Sequence, residues 1–428
     1  MLNRTVITVV AVAATLSPLA AFATNGYQLI GIGTYQKSLA GAVTANPGSA
    51  MTAVTNPAGS ARIGRRADFS MEAFMPSRSV DFTALGGSSA DSSVDAYGIP
   101  ALGWSAPIRD GSPVYFGGGM YGTSGMGVDY PSTLMMTPGG GSPNLYWDGY
   151  SNISFWQMAP VVAWNVNDKL SVGASLNIDY QSVAFKQRAL ADTTANGQGD
   201  TVINNFDLSR SASGFGFGVS FGLLYDLSPA VTVGAAYKSK QYFNDLEYNL
   251  AAGDITVNSN PFPAGRYRLN LDYPQQFAVG VAVRPDDKLT VSADVKWVNW
   301  SDTMNKLTVK GPSGYDMPMD PGWKNQTVYA LGVSYAATSR LDLRAGFNYG
   351  SAPFGDGQVS HNLILPAVTK SHLTLGAGYR INNHWDVAVA AMYAKKYTLT
   401  APATDPQAPN AKIRLGETSV SANIGYRF

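Results

Sequence analysis

Stretch after stretch of this chain alternates apolar and polar residues at a period of two, and the two faces that result cannot both be buried in a dry core. Residues 213–225 set Phe215, Phe217, Val219, Phe221, Leu223 and Tyr225 on one face, with Gly214, Gly216, Gly218, Ser220 and Gly222 on the other. Residues 341–349 oppose Leu341, Leu343, Ala345, Phe347 and Tyr349 to Asp342, Arg344, Gly346 and Asn348. Elsewhere the second face carries Asp179, Lys238, Asp294, Lys296, Arg380 and Asp386. A soluble two-sheet sandwich would bury these charges unpaired, which is too costly in a dry core. A wet lumen removes that cost, whereas a Lys or Arg turned to lipid would cost about 2–4 kcal/mol at mid-membrane. The pattern predicts an all-β, antiparallel transmembrane barrel.

The connections point the same way. Short turns at 108–113, 165–169, 226–230, 284–288, 336–340 and 381–384 alternate with long polar, Gly/Pro-rich connections such as 124–152, 191–211, 310–325 and 400–416. Short turns on one side and long loops on the other describe an outer-membrane barrel, here of fourteen strands between residues 67 and 428. The low charged fraction of 14% and the 23 tyrosines suit aromatic girdles, and a net charge of +1 without a Lys/Arg run offers nucleic acid no footprint. No cysteine is present, so thiol nucleophiles and disulfides are closed. The chain ends on Phe428 in a Tyr-Arg-Phe sequence, similar to the terminal aromatic signal read by barrel assembly machinery.

Residues 1–23 read as an export signal, with Arg4 ahead of an apolar run and Ala21-Phe22-Ala23 as an A-x-A cleavage site, so the mature chain is expected to begin at Thr24. Between that point and the barrel, 65–428, lies 24–64, rich in Gly, Ala, Ser and Thr and ending in Asn56-Pro57-Ala58-Gly59. It holds too many apolar side chains, Tyr27, Leu29, Ile30, Ile32 and Met51 among them, for a solvated tail. A fourteen-stranded barrel is too wide for its own side chains to fill, so this segment is expected to plug the lumen, with at most a short helix within 38–45.

Several stretches carry a family likeness. Gly26 to Leu29 (GYQL), GIGTYQKSLAGAVTA from Gly31, NPAG from Asn56, GGGMYGTSGMGVDYP from Gly117, LDYPQQFAVGVAVRPDDKLTVSADVKWVNWSD from Leu271 and HLTLGAGYR from His372 resemble the FadL-type outer-membrane transporters of long-chain fatty acids and other hydrophobic compounds. The likeness spans essentially the whole mature chain. It implies a fourteen-stranded barrel, an N-terminal hatch and a lateral opening beside a kinked third strand. The expected function is facilitated diffusion of a hydrophobic ligand, foremost a long-chain fatty acid, by a monomer in the Gram-negative outer membrane. An aromatic-hydrocarbon channel of the same fold and a porin for polar solutes are the alternatives.

On the residues, consecutive glycines weaken a strand, so Gly117, Gly118 and Gly119 are the expected lateral opening, with Asn56 supplying the missing ladder partners. Lys238, Lys296 and Arg344 point inward by alternation and are candidates for a carboxylate head group. Met126, Leu134, Met135, Met136 and Trp147 form an apolar cluster on the 124–152 connection, suited to capturing ligand. No catalytic constellation, metal site or cofactor motif is found. His361 falls in a long loop and His384 in a short turn, where solvated roles are expected, and Ser371 and His372 point to opposite faces of a strand.

Overall fold

The structure is a computed structural model and describes residues 25–428. The export signal and its cleavage point lie outside the described residues. Fourteen antiparallel strands form the wall: β1 Arg66–Asp81, β2 Tyr97–Pro107, β3 Val114–Met136, β4 Leu145–Met158 resumed as Val161–Asn165, β5 Leu170–Ala191, β6 Thr201–Ser228 and β7 Val231–Lys238. They continue as β8 Gln276–Val283, β9 Leu289–Val298, β10 Gln326–Ala336, β11 Leu341–Gly350, β12 Ser371–Arg380, β13 Trp385–Thr400 and β14 Lys412–Arg427. Closure is made by β14 against β1, in register from Arg66 opposite Arg427 to Asp81 opposite Lys412.

Alternation sorts the faces as expected. On β1, Asp68, Ser70 and Glu72 are buried in the lumen, while Phe69, Met71 and Met75 are exposed on the outside. Leu375, on β12, is 67% exposed, a value a soluble core strand would not tolerate but a lipid-facing one requires. Two connections expected to be loops, 124–152 and 191–211, are largely tall hairpins instead. Met136 of β3 still pairs with Leu145 of β4, and Ala191 of β5 with Thr201 of β6. Their polar, glycine-rich composition hid them, because above the bilayer a strand need not present an apolar face to lipid. Around them the loop end has its own core, with Trp300, Trp323, Tyr248, Tyr267 and Tyr273 fully buried, beside a small sheet of Leu246–Leu250, Gly265–Leu269, Leu307–Lys310 and Met317–Met319.

Residues 25–64 occupy the lumen. The helix expected within 38–45 lies earlier, at Gly33–Ser38, and stops because Ala40 and Gly41 turn to φ of 52° and 83°. A second turn, Thr52–Thr55, and a 3-10 helix, Pro57–Ala61, follow. The glycines on the inner wall face make room for this backbone. A Cβ at Gly346 of β11 would lie 2.5 Å from the carbonyl carbon of Leu39, and one at Gly173 of β5 2.5 Å from the nitrogen of Ala58. Such glycines weaken a ladder, and close approach of a second backbone is what requires them here. Lumen charges fasten the segment as well. Lys37 pairs with Glu72 at 3.0 Å, Asp294 accepts the N–H groups of Val43 and Thr44 at 2.9 and 2.8 Å, and Asp68 accepts that of Ala50 at 2.8 Å. Charges that alternation reads as evidence of a wet lumen are therefore partly the clamps of an internal segment.

Candidate functional site

One seam of the wall is unpaired over part of its length. β2 and β3 are in register from Pro107 opposite Tyr115 to Ala101 opposite Tyr121. Beyond that point β2, at 97–100, pairs only with β1, and β3, at 122–127, leaves it. There β3 pairs with β4 on its far side and with the internal segment on its near side: the Leu29 N–H donates to Thr123 O at 3.2 Å, and the Gly125 N–H to Tyr27 O at 3.0 Å. Ser124 Oγ and Tyr273 Oη share a hydrogen bond of 2.7 Å. The third strand is thus drawn inward by Tyr27 and Leu29, which satisfy backbone groups that the wall abandons. Higher up, the 83–93 connection covers the seam, Ser93 N–H donating to Asp129 O and Ser88 N–H to Leu134 O, both at 2.8 Å.

This corrects the expected place of the opening. Gly117, Gly118 and Gly119 are fully paired to β2, opposite Ser105, Trp104 and Gly103. They mark a break on their other side, where Gly118, at φ 143°, faces Ala159-Pro160 and the β4 ladder is interrupted because Pro160 has no N–H. Asn56 is also not beside them. It caps the Pro57–Ala61 turn by accepting from Ala58 N–H at 3.2 Å, and its amide donates to Thr44 O at 2.7 Å and Leu223 O, on β6, at 3.2 Å. With Pro57 and Ala58 it braces the internal segment against β5 and β6, while Gly59 packs against Pro47 and Thr52 of the segment itself. Asn56→Ala is expected to loosen that brace by about 1–3 kcal/mol, since two buried carbonyls lose their donor. Limited proteolysis of the folded barrel should then nick residues 25–64 faster than in the unaltered protein, and equal rates would show the brace to be unimportant.

Behind the unpaired seam lies a cavity lined mainly by apolar residues, including Tyr27, Leu29, Ile99, Met126, Phe155 and Trp156, with Arg78 and Glu417 among its polar members. Trp156 also borders an outward, apolar groove with Met120, Met158, Ile178, Tyr180 and Phe215. One side chain therefore touches both the interior space and the lipid-facing surface. A second, more polar cavity lies beyond Gln28, Leu29 and Thr123 and contains Lys238, Lys296, Asp294 and Gln276. Lys238 Nζ donates to Gln157 Oε1 at 2.8 Å and Lys296 Nζ to Gln28 Oε1 at 3.0 Å.

Of the three candidate head-group cations, Lys238 and Lys296 thus share a cavity and Arg344 does not. Arg344 lines a third pocket with Arg66, lies 3.4 Å from Asp342 and sits over the Tyr35 ring at 4.8 Å. Among the loop candidates only Met126 reaches the apolar cavity. Met135 and Trp147 are buried in the loop core, Trp147 against Phe82 and Tyr130 with ring centroids 5.6 and 5.7 Å apart, and Leu134 and Met136 stand on the upper hairpin. Their apolar character serves packing of that hairpin. His372 is fully buried, with Nε2 3.1 Å from Glu417 Oε2, while His361 and His384 are exposed. Sequence reasoning missed Arg78, Phe155 and Trp156. Alternation along β1 turns Arg78 inward with Asp68 and Glu72, and that was the available signal.

Residues 10–428 match the sequence profile of the family described as outer membrane protein transport protein (OMPP1/FadL/TodX). The chain belongs to this family. Outer membrane protein P1 of Haemophilus influenzae is 25% identical over 360 residues, covering 78% of this chain and 74% of the relative. The solved toluene transporter TodX of Pseudomonas putida superposes with a TM-score of 0.72 at 21% identity, covering 95% of this chain and all of TodX. A FadL homologue of Pseudomonas aeruginosa superposes with a TM-score of 0.69 at 19% identity, covering 96% of this chain and 100% of the homologue. At these identities the solved structures speak for the fold, a closed fourteen-stranded barrel. As a FadL-family protein the chain is an outer-membrane barrel of a Gram-negative bacterium that transports hydrophobic compounds.

Proposed function

We propose that this protein takes up long-chain fatty acids by facilitated diffusion and releases them sideways into the bilayer through the seam between β2 and β3. The observation that carries the reading is the apolar cavity directly behind the only stretch, among the described wall strands, where β2 and β3 exchange no ladder bonds. An apolar solute leaving straight down would have to displace the internal segment and enter water, losing about 0.8 kcal/mol per re-exposed methylene, or about 10 kcal/mol for a dozen. Passing Trp156 into the lipid-facing groove keeps the chain covered. A break in a ladder is expensive in lipid unless other polar groups supply the partners, and Tyr27 and Leu29 supply them here. Residues 24–64 act as the hatch that keeps the remaining lumen from conducting.

The cavity is lined by segments as separate as Leu29 of the hatch and Pro366 and Ala367 of the loop end, which favours a ligand long enough to touch both. A monoaromatic hydrocarbon is the second reading, favoured by the fold shared with the toluene transporters. The two are separated by extracting the protein directly into lipid nanodiscs, without detergent, and identifying the retained ligand by mass spectrometry. A long-chain fatty acid is the expected result, and a monoaromatic compound as the sole ligand would replace the first reading with the second.

A further inference from the structure

We infer that Arg78 reads the head group, so that the apolar cavity selects a carboxylate-bearing chain over a neutral chain of the same length. The inference rests on the proposed uptake of hydrophobic compounds and adds the residue that chooses among them.

Arg78 projects inward from β1 into the apolar cavity and is 4% exposed. A buried guanidinium without an anion is costly, and two other deeply buried cations, Arg66 on the wall and Lys37 on the internal segment, illustrate how that cost is met. Arg66 has Asp68 and Asp386 at 2.6 and 2.7 Å, and Lys37 has Glu72 at 3.0 Å. Arg78 has only neutral partners: it donates to Gly127 O, Val94 O and Tyr97 Oη, and its Nε has no acceptor at all. Its guanidinium also stands over the Tyr97 ring at 5.5 Å. Glu417 lines the same cavity but is already engaged, by His372 Nε2 at 3.1 Å and Thr369 Oγ1 at 3.4 Å.

The cations first expected to hold a head group are placed differently. Lys238 and Lys296 line the separate polar cavity with Asp294, donate to the neutral Gln157 and Gln28, and do not reach the apolar one. Arg344 has Asp342. Among the residues that line the apolar cavity, Arg78 is the cation. Its surroundings include the apolar Met126, Phe155 and Trp156, and a low-polarity setting strengthens a charge-assisted bond. The guanidinium fork matches a carboxylate in a way an ammonium does not. By bonding Gly127 O on β3 across the unpaired seam, Arg78 also fixes where the head group sits, at the loop-side end of the opening, with the chain lying along the seam towards the lipid.

The test compares a long-chain fatty acid with its methyl ester by isothermal titration calorimetry on the full-length protein in nanodiscs, using the unaltered chain, Arg78→Met and Arg78→Lys. Each barrel is first checked for native heat-modifiable mobility. The unaltered protein should prefer the acid by about tenfold or more, the scale of one hydrogen-bonded charge. Arg78→Met should bring the acid down to the ester, with ester affinity little changed, and Arg78→Lys should keep only part of the preference because it lacks the fork. If Arg78→Met fails to fold, the partial loss in Arg78→Lys decides alone. A preference that survives both substitutions, or a loss that strikes acid and ester equally, overturns the inference and leaves Arg78 as a brace of the seam. Equal binding of acid and ester by the unaltered protein overturns it too, leaving hydrophobic uptake intact. If the unaltered protein binds neither, the uptake of chain-like compounds falls together with it.

Discussion

Closing the seam between β2 and β3 with a disulfide is expected to stop uptake while leaving ligand binding intact. The positions are Ile99→Cys and Gly122→Cys. A Cβ built on Gly122 lies 2.8 Å from Ile99 Cγ2, so the two Cβ atoms are no further apart than about 4.3 Å, allowing for one carbon–carbon bond of about 1.5 Å. That separation is within the disulfide range, and the chain has no other cysteine to compete. Once β3 is tied to β2 at this height, the chain of an amphiphile can enter the cavity from the loops but cannot pass Trp156 to the lipid. Uptake by cells carrying the oxidised variant should fall to the level of cells lacking the protein and recover when reductant is added. Undiminished uptake by a verified cross-linked barrel would rule out the lateral route and leave a path through the hatch.

Removing residues 24–60 should turn a nearly silent barrel into a conducting pore. A fourteen-stranded barrel is wider than its own side chains can fill, and what lies in it here is the segment 25–64, laid against the inward glycines of the wall. The deletion strips partners from Asp68, Glu72 and Asp294, all buried now, but water entering the lumen hydrates those carboxylates in place of the hatch. The ladder that closes the barrel, β14 on β1, does not involve the hatch and should survive. In planar bilayers the unaltered protein is expected to show little steady current and the deleted one a large, salt-proportional conductance. A large conductance in both would identify an open porin.

The sequence by itself determined the barrel and its orientation of faces. Period-two alternation is a local property of each strand, and a slip of one residue would turn every apolar side chain into the lumen, so strands such as β11 and β12 could be read from their own residues. The length of the connections ordered the two ends of the barrel for the same local reason. Where a segment sits above the bilayer, alternation carries less information, and the tall hairpins of β3 with β4 and β5 with β6 were hidden for that reason.

The place of the unpaired seam belonged to tertiary structure alone. Glycines 117 to 119 announce a weakness in β3, yet whether a weak strand loses its left or its right neighbour depends on which other segments can take its hydrogen bonds. Pro160 interrupts one side, and Tyr27 and Leu29, nearly a hundred residues away in sequence, pull β3 from β2 a few residues further on. The same holds for the charges. Alternation turned Lys238, Lys296, Arg344 and Arg78 inward alike, and only the packed lumen decided that the two lysines share a polar cavity, Arg344 lines another pocket beside Asp342, and Arg78 meets neutral oxygens at the edge of an apolar cavity. A side chain's direction follows from its own strand, but what it meets inside the barrel is set by how the closed wall and the internal segment pack together.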